Sequence, residues 1–95
     1  MRPTSASEWR DFWSTGGARE LTLLLWAAWD PIGGGPVGDY TGYATRVATL
    51  LGSRAPVQAL AAELGRIRAH DLGLPGDPAA DEAAAAKIQR WFDQS

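Results

Sequence analysis

Leu21-Thr22-Leu23-Leu24-Leu25-Trp26-Ala27-Ala28-Trp29, followed at once by Asp30-Pro31-Ile32-Gly33, is the stretch on which the fold turns. Read as a helix of about residues 18–29, its apolar side chains point in nearly every direction, and a helix apolar all round is normally buried on most sides. The segment is therefore expected at the centre of the domain. The same residues would also suit a buried strand, but no second strand-like run is present to pair with them. Pro31 stops the helix, because the residue before a proline is pushed out of α geometry. Residues 33–38, Gly-Gly-Gly-Pro-Val-Gly, can only be loop.

Four further helical patterns flank this one. Ser5 with Glu8 three residues on has the form of a capping box. Trp9, Phe12 and Trp13 then fall on one stripe, ended by Gly16-Gly17. A third helix is expected from Asp39 to Thr41, either of which could cap it, carrying Tyr40, Tyr43, Ala44, Val47, Leu50 and Leu51. Gly52 is expected to supply its left-handed terminus. A fourth opens near Pro56 with Val57, Leu60, Ala61, Leu64 and Ile67 on its stripe, and closes at Gly73 and Pro75. A fifth is capped by Asp77 with Pro78 at its first position and is anchored by Ile88, Trp91 and Phe92. Its alanine-rich start supplies propensity more than burial. The expectation is one all-α domain over residues 1–95, a compact five-helix domain in which four helices surround the central apolar helix at 18–29.

Composition narrows the function classes. The chain has 95 residues and no cysteine, which leaves no disulfide, no thiol catalysis and no cysteine-ligated metal. The net charge is −2, and the two halves share it evenly: residues 1–48 carry four bases against five acids, residues 49–95 five against six. A basic face of the kind that binds phosphates is not visible, so nucleic acid is not an expected partner. The longest apolar run, Leu23 to Trp29, is far short of the roughly 20 residues a membrane span needs. No apolar stretch follows Met1-Arg2-Pro3-Thr4-Ser5, so no signal peptide is expected. A soluble cytoplasmic protein without cofactor or metal is the resulting expectation.

The string Leu24 to Gly33 (LLWAAWDPIG), a Gly/Pro loop, then Asp39-Tyr40 and Tyr43-Ala44, resembles a bacterial family of small helical proteins built around a WDPIG motif, a domain of unknown function. The resemblance covers about Leu21 to Phe92. Members continue after the loop with an acidic tyrosine motif. Here Gly38 and Thr41 stand where acids are common, leaving only Asp39-Tyr40. The resemblance implies a compact helical fold with no assigned activity, and protection against bacterial toxins in some relatives.

No constellation for catalysis stands out. Gly33, Gly35 and Gly38 match the spacing of a dinucleotide fingerprint, but a helix and a proline precede them where a strand is required. His70-Asp71 is the one imidazole–carboxylate pair in sequence, and a histidine in a last helical turn is favoured by the helix dipole without any catalytic role. Trp29, Asp30, Pro31, Ile32 and Gly33 read first as a rigid packed corner. Between Arg68 and Lys87 there is no lysine or arginine, while Asp71, Asp77, Asp81 and Glu82 contribute four acids. Dipole complementarity at a helix start accounts for most of these, and a surface steering a basic partner is the functional alternative.

Two functions follow as expectations. The first is a non-enzymatic interaction module, immunity-like or regulatory, using the acidic 71–82 surface toward a basic protein. The second is a small-molecule protein with a pocket under the 30–43 loop, using Asp30, Asp39, Tyr40 and Arg46. A homo-oligomer joined through the terminal aromatics Trp9, Trp13 and Trp91 is a third possibility.

Overall fold

The computed structural model describes residues 5–29 and 37–94, and among these the backbone is helical with no strand. Residues 21–29 are helical, so the strand alternative falls. Five separate helices were expected; the described residues instead form four helical runs, because the first two expected helices join into one bent run over residues 6–29. Its limbs are α1 (Ala6–Phe12) and α2 (Ala18–Leu24), which meet at a kink within Trp13–Gly17 where Gly16 leaves helical geometry, and a wide helical turn at Leu25–Trp29 extends the second limb. Helix α3 (Thr41–Gly52) follows a 3-10 turn at Val37–Tyr40. Helix α4 (Val57–Arg66) runs on through a wide turn at Ile67–Asp71, and α5 (Pro78–Asp93) closes the chain.

The bend in the first run comes from Gly16, whose φ of +133° is closed to most side chains. Gly17 answers a different need. A Cβ there would lie 2.8 Å from the Phe12 carbonyl oxygen, so only glycine lets the chain turn this tightly.

The later helices bury the central positions of the stripes that their spacing predicts, whereas the stripe of α1, Trp9, Phe12 and Trp13, is half-buried. Leu21, Leu25 and Trp29 on the first run face Tyr40, Ala44, Val47 and Leu51 on the second. Leu60, Leu64 and Ile67 meet Ala84, Ala85, Ile88 and Phe92, and α4 with α5 make the most extensive contact among the described elements. Within the alanine-rich part of α5, Ala84 and Ala85 pack inward, while Ala79 and Ala83 are exposed. The apolar segment at 18–29 is not enclosed on all sides, however: Leu23 is 42% and Trp26 38% exposed. It is an amphipathic helix with an unusually greasy outer face. The radius of gyration, 12.7 Å, is close to the ~12 Å expected for a compact chain of this length.

Local signals are mixed. Ser5 accepts the Glu8 backbone N–H at 3.1 Å and Asp77 accepts that of Ala80 at 3.2 Å, as the caps require. Gly73, with φ +63°, ends the α4 run. The start of α3 differs, since the chain enters it through the 3-10 turn and no side chain caps it at Tyr40. Gly52 is not the left-handed residue either. That conformation belongs to Arg54, with φ +58°, whereas Gly52 makes room for Trp9, whose Cζ2 would be 2.8 Å from a Cβ.

The terminal aromatics close on one another. Trp9 and Phe92 lie 5.8 Å apart edge to face, Phe12 and Trp91 5.7 Å, and Trp13 and Trp91 6.3 Å between ring centroids. Trp13 Nε1 is buried inside this clasp, without a hydrogen-bond partner among the described residues. Replacing Gly17→Ala should cost about 1–3 kcal/mol, the usual penalty of overpacking, because the opposing atom is backbone and cannot swing away. A urea midpoint equal to that of the parent would show that the Gly16-Gly17 bend does not need glycine at its second position.

Candidate functional site

Where the apolar stripes of α4 and α5 end, each continues into a charge. Arg68 stands four residues after Leu64, and Asp81 three before Ala84. The wide turn after α4 carries Arg68 inward, and the first turn of α5 holds Asp81 where the helix dipole favours a carboxylate. The two meet below the surface, 7% and 3% exposed. Asp81 Oδ1 accepts from Arg68 Nη2 at 2.8 Å and from Arg68 Nε at 3.1 Å. It also accepts the indole N–H of Trp29 at 2.8 Å. The Arg68 guanidinium lies 6.0 Å from the centroid of the Trp29 ring, within cation–π range, and that ring meets Tyr40 edge to face at 6.0 Å.

One carboxylate oxygen therefore ties together the end of the first run, the end of the α4 run and the start of α5. All three donors use Oδ1, and among the described residues no donor reaches Oδ2. That second oxygen lies 3.3 Å from where a Gly65 Cβ would sit.

A second network is more exposed. Arg46 on α3 bridges Glu63 on α4 at 2.5 Å and Asp71 at 2.7 Å, and Arg66 adds a 2.7 Å contact to Glu63. Partial burial pulls the Arg46 guanidinium down, but hydrogen bonds and charge from Glu63 and Asp71 outweigh it, so its pKa stands above the ordinary value.

The expected site residues are thus scattered. Asp30, Pro31, Ile32 and Gly33 lie outside the described residues, as does the side chain of Asp39. Trp29 is in place as a packed anchor. Tyr40 is fully buried against Trp29 and Tyr43, so it does not line a pocket under the 30–43 loop. A shallow depression of about 440 Å³ does border Gly38 and Thr41, along with Thr22 and Leu23, but neither Tyr40 nor Arg46 lines it. Asp71 is engaged by Arg46 rather than by His70, which is exposed.

Of the expected acidic surface, Asp81 is the clear exception: it is interior. Asp77 and Glu82 are exposed. Both border a groove of about 610 Å³ between α4 and the start of α5, whose walls include Val57, Ala61, Ala62 and Gly65 and which Asp81 also lines. Sequence reasoning missed Arg68, Glu63 and this groove. The stripe positions of Arg68 and Asp81 were the available signal, since a charge at helical spacing among buried residues needs a buried partner. Among the described residues there is no cluster of three or more metal-ligating side chains and no helix long and apolar enough to cross a membrane.

Removing one member of the buried pair should be far worse than removing both. Asp81→Asn leaves Arg68 uncompensated and is expected to cost about 3–5 kcal/mol, while Trp29→Phe loses one hydrogen bond and should cost about 1–3 kcal/mol. The double variant Arg68→Met/Asp81→Leu should be milder than the sum of its single changes in urea denaturation. Simple additivity would mean that the two side chains do not act as a pair.

No protein-family model, no curated protein and no solved structure matches this chain.

Proposed function

We propose that this protein is a non-enzymatic interaction module, immunity-like or regulatory in role, that receives a basic protein segment in the groove between α4 and α5. The observation that carries the reading is the composition of that groove: aliphatic walls from Val57, Ala61 and Ala62, with the exposed acids Asp77 and Glu82 on its border. Acidic borders around an apolar floor suit a partner whose encounter is steered by opposite charge and whose contact excludes water.

The commitments of the other polar groups point the same way. Arg68 and Asp81 neutralise each other in the interior, and Arg46, Glu63, Arg66 and Asp71 form a structural network. The small-molecule alternative loses one of its expected contacts, because Tyr40 is sealed in the core. An oligomer through the terminal aromatics has less surface to draw on than expected, since those rings pack largely against each other.

The double variant Asp77→Asn/Glu82→Lys tests the reading, because asparagine still caps a helix while the acidic border is lost. Used as bait in lysate of its own organism beside the parent chain, the variant should recover roughly tenfold less of a basic partner, with an unchanged unfolding midpoint. Equal recovery by both baits, or recovery of no partner by either, would count against the proposal.

A further inference from the structure

We infer that Asp81 has a second task beyond holding the core: its Oδ2 receives the ammonium group of a partner's lysine, whose stem lies along the α4 face of the groove. This rests on the interaction reading and names the contact at its centre.

Three observations converge. The first is the division of labour within the carboxylate. Oδ1 takes all three donors, two from Arg68 and one from Trp29, while Oδ2 has no donor among the described residues although Asp81 is only 3% exposed. Oδ2 is not sealed from solvent, so it stands as an acceptor at the groove that an incoming N–H group reaches by displacing water.

The second is where that oxygen points. Asp81 lines the groove, and Gly65 opposite it has no side chain; a methyl group there would come within 3.3 Å of Oδ2. The floor is open above the oxygen because glycine occupies that position. The surrounding walls, Val57, Ala61 and Ala62, offer methyl and methylene surface for an aliphatic stem.

The third is charge. Arg68 already balances Asp81, so the groove's own character is set by Asp77 and Glu82, both negative. A cation is favoured over a neutral donor. Lysine is favoured over arginine because a planar guanidinium reaches its best geometry on two carboxylate oxygens, and one is already taken, whereas a compact ammonium needs a single acceptor.

The test uses the whole ¹⁵N-labelled chain and three capped peptides: acetyl-Gly-Lys-Gly-amide, the norleucine peptide with the same stem and no ammonium, and the arginine peptide. The lysine peptide should shift the amide signals of Ala62, Gly65, Gly76 and Glu82 saturably. It should also move the Trp29 indole N–H signal, which reports on Asp81 through Oδ1. Binding of the norleucine peptide should be roughly tenfold or more weaker, the size of one charge-assisted hydrogen bond, and the arginine peptide should fall between the two.

Gly65→Ala should abolish the lysine preference while leaving the dispersed spectrum of a folded chain. If that variant does not fold, Ala62→Trp, at an exposed wall position, makes the same comparison by filling the groove. Equal affinity for lysine and norleucine peptides, shifts that map away from the groove, or no saturable shift at all would overturn the inference. Should the lysine peptide fail while the Asp77→Asn/Glu82→Lys bait still loses its partner, this contact is wrong and the interaction reading stands. Lysine binding without any protein partner would leave the contact standing and remove that reading.

Discussion

A single carboxylate oxygen, Oδ1 of Asp81, is where three parts of the chain are held together. Desolvating that oxygen is costly, and the cost is offset because a guanidinium and an indole N–H arrive from two different elements. Hydrophobic stripes alone would bring α4 and α5 together in several similar registers. A buried charge that needs its partners within about 3 Å admits far fewer. Trp29 is thus an anchor: its ring packs on Tyr40, and its N–H fixes where the chain leaves the first helical run.

The sequence carried the all-α class well, because helical periodicity, caps at Ser5 and Asp77, and the stop at Gly73 are local features that tertiary packing did not overrule. It was less informative where a local signal had two physical uses. Gly16 does break helical geometry where the first helix was expected to end, but the chain kinks there and passes directly into the next limb instead of leaving a separate loop. Gly52 looked like a left-handed cap and is instead a seat for Trp9. The segment at 18–29 looked enclosed because its apolar residues point in nearly every direction, yet with three other helical runs to cover it, Leu23 and Trp26 are left partly in water.

For the candidate site, the acids between residues 71 and 82 were legible as a group but not as individuals. One caps α5, one pairs with Arg46, one is interior and one is exposed. Charge counting along the chain cannot separate these, since it ignores which face of the helix each residue occupies. Helical spacing could have separated the interior one. Asp81 shares its stripe with Ala84, Ala85, Ile88 and Phe92, and Arg68 shares its own with Leu60 and Leu64. The groove was beyond reach, because it depends on the absence of a side chain at Gly65 on a neighbouring helix.

Ala84 and Ala85 sit one turn below Asp81, wholly enclosed, on the flank where α5 meets α4. Side chains this short let the two backbones approach closely, and no flexible atoms intervene to absorb a change. The spacing between the helices is therefore gauged by these two methyl groups rather than by the residues that line the opening above. Bulk added at either alanine would act as a wedge driven in beneath the opening, widening it without altering any atom on its walls.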